Sequence, residues 1–258
     1  MPDRPYALVR QPAETLADGI VTFIERQPLD LELAKRQWDD YVAALQRSGW
    51  PTVVIQGDDS MPDCVFVEDA VVMFGDLAVI TNPRQPARNP EIIAVQRTID
   101  ELGLEAAAIT EGTLDGGDVL KVGSQVYVGL SGTTDASAIE QLARILGPRG
   151  YTVTPVPLTK ALHLKSAVTA LPDGTVIGYE PVVDDPGMFP SFLAVPEEPG
   201  AHVVILDEDL LLMSSAAPRT AALFADRGYR LENVDISEYE KLEGCVTCLS
   251  VRVRQPNP

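Results

Sequence analysis

Histidine and cysteine are scarce in this chain: His163 and His202 are the only histidines, and Cys64, Cys245 and Cys248 the only cysteines. Three cysteines, an odd and small number, exclude a disulfide framework and fit a reducing, cytoplasmic setting. Cys245 and Cys248 stand at Cys-x-x-Cys spacing, but there is no second pair. Neither histidine lies at zinc-ligand spacing from them, so no metal is expected. No stretch approaches the roughly 18 uninterrupted apolar residues of a membrane span, although apolar residues make up 45% of the chain. The opening Met1-Pro2-Asp3-Arg4-Pro5 has no apolar signal core, which argues against secretion. A glycine-rich phosphate loop, a low-complexity segment and a domain linker are all missing. Residues 1–258 therefore read as one domain, long enough for an ample core.

Cations are outnumbered as well. Twenty Lys and Arg against 38 Asp and Glu leave a formal net charge of −18. Such a chain repels phosphate backbones, which excludes nucleic acid as a partner. The excess does not by itself specify a cationic substrate, because most carboxylates on a folded chain are solvated.

What is present is a recurring unit. Tyr6 to Arg10 predicts a first strand, and 11–27 a long polar connection able to act as a lid. Asp30 caps a helix with Ala34, Trp38, Tyr41, Val42 and Leu45 on its inner face and Gly49 at its end. Thr52 to Ile55 predicts a buried strand. Hairpins then follow at 70–81, 119–128, 167–179 and 203–213, turning at Gly75-Asp76, Gly123-Ser124 and Pro172-Asp173-Gly174. Helices are predicted after three of them, from Asn89, from Asp135 and over 217–227. The units recur roughly every 35–50 residues without a shared motif. A ring of mixed α/β modules fits this better than a crossover-built parallel sheet.

Four polar stretches interrupt the apolar runs. In Asp63-Cys64-Val65-Phe66-Val67-Glu68-Asp69, the adjacent Glu68 and Asp69 point to opposite faces of an extended segment, so one can meet a pocket while the other faces away. Leu114-Asp115-Gly116-Gly117-Asp118 sets carboxylates about paired glycines that permit a tight turn or a close backbone approach. Leu162-His163-Leu164-Lys165-Ser166 holds one histidine between leucines, a core residue or a catalyst. Gly244-Cys245-Val246-Thr247-Cys248-Leu249-Ser250 offers a redox pair, a buried core thiol, or a nucleophile served by a distant histidine and carboxylates.

In that order and spacing the four stretches resemble the dimethylarginine dimethylaminohydrolases of the guanidine-modifying pentein superfamily, over essentially the whole chain. The resemblance implies an α/β fold, a five-bladed α/β propeller with pseudo-fivefold symmetry forming one catalytic domain. It implies hydrolysis of Nω-methylated arginines to citrulline and dimethylamine or methylamine through a covalent thiouronium. Cys248 matches the family's nucleophile, His163 its general acid and base, and Asp115 the carboxylate near that histidine. Asp69 matches the residue that grips the guanidinium, with Asp63 and Glu68 completing or orienting the pocket. Arg88 matches a residue that meets the substrate carboxylate, and backbone carbonyls near Ile20 and Leu242 match substrate contacts. No metal or organic cofactor is implied. The expected partner is a small cationic guanidine, and the expected state a monomer or homodimer.

One position departs from the pattern. Relatives carry a second carboxylate-binding arginine where this chain has Thr133, and losing such a contact costs about 2–5 kcal/mol if the carboxylate stays buried. Either Arg88, Arg84 or another cation compensates, or the substrate is a different guanidine, arginine itself or one without an α-carboxylate. Arginine deiminases proper carry an Asp two residues after the histidine, where Lys165 stands here. A non-catalytic pentein serving as a binding module is the remaining alternative, and it has no use for Cys248, His163, Asp69 and Asp115 together.

Overall fold

A strand with one face in water alternates apolar and polar residues, and the hairpin strands of this chain do not. Residues 71–74 and 77–80 are buried at every position. The computed structural model, which describes residues 5–254, supplies the reason. Val71, Met73, Ala78 and Ile80 enter one apolar cluster, while Val72, Phe74, Leu77 and Val79 enter the next. Each sheet is packed on both faces, so neither needs a polar side.

Among the described residues there are five three-stranded sheets of one design, an antiparallel pair with a third strand parallel to its middle member. The first sheet joins β1 (Tyr6–Arg10) and β2 (Thr52–Ile55) to β15 (Val251–Val253). The second holds β3 (Val71–Phe74), β4 (Leu77–Ile80) and β5 (Glu105–Ala108). The third holds β6 (Val119–Val122), β7 (Gln125–Leu130) and β8 (Thr152–Pro157). In the fourth are β9 (Val168–Ala170), β10 (Val176–Gly178) and β11 (Phe192–Ala194). The fifth holds β12 (Val203–Ile205), β13 (Leu210–Ser214) and β14 (Arg230–Val234).

Helices α1 (Leu31–Arg47), α2 (Asn89–Glu101) and α3 (Ala136–Leu146) carry the chain to the parallel strand in the first three sheets. A single turn, α4 (Leu164–Ala167), precedes β9, and α5 (Pro218–Asp226) serves the fifth sheet. Among the described residues no helix is long and apolar enough to cross a membrane.

Five large apolar clusters alternate with the sheets. The last of them in ring order joins Val204, Leu206 and Leu212 of the fifth sheet to Ala7 and Val9 of the first. The ring closes there, and β15 completes it by pairing Val253 with Tyr6 and Val251 with Leu8. The architecture is the five-bladed propeller that the resemblance implies. Each cluster is stapled by fully buried side chains such as Leu142, whose truncation to alanine costs about 2–5 kcal/mol.

The first strand of each sheet (β15, β3, β6, β9 and β12) faces the middle of the ring and lines a common cavity there. Local signals set the helices in place. Asp30 accepts the Leu33 N–H at 3.0 Å at the start of α1, and Gly49 takes a φ of +84° just beyond its end.

Two features differ from the sequence expectation. The four outer strands β5, β8, β11 and β14 belong to the repeating unit, so each of the last four modules has a parallel crossover as well as a hairpin, and the first has the crossover with β15 in place of a hairpin partner. Thr52 to Ile55, expected to be buried, is an edge strand in which only Ile55 is buried and Val54 is 41% exposed. An edge strand has one unpaired side and no second cluster to fill.

Candidate active site

The four polar stretches meet at one cavity of about 220 Å³ at the end of the inner strands. Cys248, His163, Asp115, Asp69, Asp63 and Arg88 line it, with Ile20 and Leu242 among its walls.

The cysteine loop is pinned from three sides. Cys248 donates its N–H to Cys245 O at 3.0 Å, and its carbonyl accepts the Glu68 N–H at 3.3 Å. Tyr41 of α1 donates its hydroxyl to Val246 O at 2.8 Å and lies 2.7 Å from Ser250 Oγ. The Cys248 sulfur accepts the Cys245 N–H at 3.4 Å and sits 3.3 Å from the Cys245 sulfur. Its thiol is held well above the ordinary range by the hydrogen bond with Cys245, by burial, and by the charges of Cys245, Glu68 and Asp69. Hydrogen bonding from Cys248 pulls Cys245 the other way, below its ordinary range.

His163 stands one residue before α4, fixed by two carboxylates. Its Nε2 donates to Asp115 Oδ2 at 3.2 Å, and Nδ1 lies 3.9 Å from Asp69 Oδ1. Burial alone would lower its pKa, but the Asp69 charge, the Asp115 hydrogen bond and the Asp118 charge raise it to about 10. The ring is therefore an imidazolium at neutral pH.

The paired glycines answer a steric demand. A Cβ on Gly117 would lie 2.6 Å from His163 Nδ1 and 2.9 Å from Asp69 Oδ1, and one on Gly116 would collide with the Glu68 carbonyl. The two glycines form a 3₁₀ turn over Gly116–Asp118 and allow this close approach as well.

Asp69 is buried, and burial pushes its carboxyl up. The charges of His163 and Arg88 outweigh this and hold it below its usual value. Its Oδ1 accepts the Gly117 N–H at 3.1 Å and its Oδ2 an Arg88 N–H at 2.8 Å. Asp63 accepts the Ile20 N–H at 3.0 Å, and burial raises its pKa. Anionic oxygens thus converge beside a sulfur and a protonated imidazole. The set can grip a planar cation, attack it, and supply a proton to what departs. Among the described residues no group of three or more His, Cys, Asp and Glu is arranged to hold a metal ion.

Three expectations need correction. Glu68 does not line this cavity: its carboxylate points to the opposite side and pairs with Lys165 at 2.5 Å. Val67–Asp69 forms a 3₁₀ turn, not an extended segment, and the turn still sends Glu68 and Asp69 to opposite sides. Arg88 is in the wall, but four of its N–H groups point at Asp69, Glu91 and the Asp63 carbonyl, leaving one for a ligand. Arg84 is exposed and outside the cavity lining. Thr133 is in the lining, and its hydroxyl donates to Asp118 Oδ2 at 2.9 Å.

Two residues went unread in the sequence. Asp118 accepts the Leu164 N–H at 2.9 Å as well as hydroxyls from Ser131 and Thr133, which ties the histidine segment to the Thr133 loop. Glu243, at a φ of 62°, accepts the N–H groups of Thr22, Phe23 and Ile24. It clasps the connection over 20–24 to the rim of the cavity. Both serve backbone amides, for which a single sequence carries no motif.

Comparison with known proteins agrees with this geometry. A family model described as arginine deiminase matches residues 58–211. The N(G),N(G)-dimethylarginine dimethylaminohydrolase of Streptomyces coelicolor is 54% identical, over 96% of this chain and 97% of its own. The Pseudomonas aeruginosa protein of the same name is 32% identical, over 96% and 98%. A structure of the Pseudomonas protein, a cysteine-to-serine mutant complexed with citrulline, superposes with a TM-score of 0.89 at 31% identity, covering 96% of this chain and 98% of that one. The N-terminal domain of a cyanobacterial arginine dihydrolase reaches 0.87 at 18% identity, a likeness of fold alone. The chain belongs to the dimethylarginine dimethylaminohydrolase family.

Proposed function

We propose that the chain hydrolyses Nω-methylated arginines to citrulline and the corresponding methylamine, with Cys248 as nucleophile and His163 as acid and base. The observation that carries this is the meeting of a thiol, a protonated imidazole and the carboxylates Asp63, Asp69 and Asp115 on one small cavity. The names of the Streptomyces and Pseudomonas relatives and the citrulline complex support the same substrate class.

Charge organises the steps. The substrate guanidinium is cationic and planar, and Asp69 retains lone pairs beyond those used by Gly117 and Arg88 to receive its N–H groups. The Cys245 hydrogen bond, burial and the charges of Glu68 and Asp69 all hold the proton on Cys248. The arriving cation offsets those charges, so the thiol ionises beside it and gives its proton to solvent. The thiolate attacks the central carbon and forms a C–S bond. The C–N bond to the methylated nitrogen then breaks, and the amine leaves with the proton of the His163 imidazolium. The neutral imidazole takes a proton from water, whose oxygen adds to the thiouronium carbon. Loss of the sulfur releases the ureido product. Asp115 and Asp118 keep His163 placed for both transfers.

A second reading keeps the chemistry and drops the α-carboxylate. Thr133 and the prior engagement of Arg88 with Asp69 and Glu91 favour it. Initial rates of ureido-product release from asymmetric dimethylarginine, monomethylarginine, arginine and a decarboxylated guanidine, measured side by side, decide between them. Preference for the two methylated amino acids supports the proposal. Turnover of the decarboxylated compound alone assigns the second reading, and no turnover of any of the four overturns both.

A further inference from the structure

A second cavity, of about 240 Å³, opens on the other side of the ring centre and shares no lining residue with the first. Strands from all five sheets contribute to it. The pair Glu68–Lys165 stands between the two, since Glu68 is the chain neighbour of Asp69 and Lys165 lies two residues from His163.

Its charge is opposite to that of the molecule. The chain carries −18 overall, yet Lys121, Lys165, Arg252 and Arg254 face a single carboxylate, Glu68, in this space. Only Lys165 is ion-paired, to Glu68 at 2.5 Å. Among the described residues no carboxylate forms an ion pair with the other three cations. Lys121 donates to Met73 O at 2.5 Å and lies 5.4 Å from the centre of the Phe74 ring. Arg252 donates through Nη1 to the Ser250 carbonyl and hydroxyl at 3.1 Å each, and Arg254 through Nη2 to Ile205 O at 2.7 Å. Arg254 also lies 5.1 Å from the centre of the Trp50 ring, and most N–H donors of the three cations have no partner among the described residues.

Desolvation and like charge act together on two of these cations. Burial first, and then the charges of Arg252, Lys165 and Arg254 against the weaker opposing pull of Glu68, depress Lys121 to about 7, although its side chain remains open to the cavity. Burial and Arg252, against the pull of Asp207, lower Arg254 to about 10, and this side chain too is exposed. An anion in the cavity would reverse both effects. Arg252 and Arg254, on and just past β15 of the first sheet, and Lys121, on β6 of the third, line the same cavity and supply the fork-and-point-charge set that suits a tetrahedral oxyanion. The space exceeds what one inorganic ion fills, so a small organic group can accompany it.

We propose that this second cavity binds a small oxyanion, a phosphate or a compact phosphate monoester, through Lys121, Arg252 and Arg254 with Lys165 at its floor. Nothing in the guanidine chemistry requires such a site, and Lys121, Arg252 and Arg254 are outside the lining of the first cavity.

Titration calorimetry of the full chain with sodium phosphate, glycerol phosphate and sodium sulfate tests this, at ionic strength fixed with chloride. Saturable binding of phosphate below about 10 mM is expected, weakened about tenfold or more in both Arg252→Gln and Lys121→Met. Sulfate keeps its charge across neutral pH, so a fall in its affinity between about pH 6 and 8 reports the loss of the Lys121 proton. Tighter binding of glycerol phosphate than of phosphate identifies the monoester as the ligand class, and the reverse order inorganic phosphate. Absence of saturable binding of all three anions overturns the proposal, as does binding unchanged in both variants. Should either variant fail to fold, thermal stabilisation of the unsubstituted chain by phosphate over equal chloride remains decisive. None at about 20 mM phosphate overturns it too.

Discussion

Replacing Gly117 by alanine should cripple turnover while leaving a folded protein. The added Cβ would stand 2.6 Å from His163 Nδ1, 2.8 Å from its Cγ and 2.9 Å from Asp69 Oδ1, where ordinary contact begins at 3.4 Å. The nearest ring atom must therefore yield by about 0.8 Å, and Asp69 by about 0.5 Å. The imidazole lines the cavity, so any such shift moves it relative to a bound substrate. It is 6% exposed, and retreat from Gly117 disturbs its 3.2 Å hydrogen bond to Asp115. A displacement approaching 1 Å at a reacting group costs about 10²-fold in rate. Overpacking on this scale costs about 1–3 kcal/mol of stability, which a domain of ordinary stability survives. The assay pairs kcat/KM for asymmetric dimethylarginine with urea denaturation, using Gly147→Ala as the control. Nothing lies within 4 Å of a Cβ at Gly147, so both readouts should stay near those of the unsubstituted chain. A Gly117→Ala protein that loses stability as expected but keeps kcat/KM within about threefold would refute the claim that His163 placement limits the reaction.

Four further outcomes are expected. Cys248→Ser abolishes turnover, whereas Cys245→Ser retains most of it with an altered pH profile, because the two sulfurs are 3.3 Å apart and each shifts the other's pKa; initial rates across pH decide, and the opposite pattern moves the nucleophile. Thr133→Arg lowers KM for methylated arginines by about 10–100-fold, the worth of one charge-assisted hydrogen bond, and an unchanged KM shows that Thr133 is not at the carboxylate end. His163, raised from 6.5 to about 10, contributes stability that is complete below about pH 6.5 and is lost as pH rises through about 10. Denaturation midpoints should fall across that window, and less steeply in His163→Gln. In Asp69→Asn the imidazole, followed by NMR, should titrate well below its value in the unsubstituted chain.

The sequence disclosed inner parts better than outer ones. Runs such as Val71 to Phe74 are legible because both faces of an inner strand meet a cluster, which demands unbroken apolar character. Glu105 to Ala108 is a strand only because β4 offers it a free edge. Its residues are half-buried to exposed and alanine-rich, so neither alternation nor β-propensity marks it. Thr152 to Pro157 carries two prolines, which an edge strand tolerates and a sequence reading discounts.

At the site, Cys248, His163, Asp69 and Asp115 were found through motifs, and one cavity gathers them. Glu68 was misplaced because a one-residue difference decides which end of the ring axis a carboxylate meets, and only the assembled ring shows that. Asp118 and Glu243 act on backbone amides, so their work is invisible until the chain is folded.

The closing strand has a further consequence. Among the described residues β15 follows every other strand in sequence and pairs with β1, which precedes them all, while Cys248 lies three residues ahead of it. The loop that carries the thiol is thus anchored by a pairing between strands far apart in sequence. Transplanting β15 to precede β1 through a short loop should preserve the ring, and it would have to sever the nucleophile loop from its anchor. Competence for folding and competence for turnover would then part company in the same molecule.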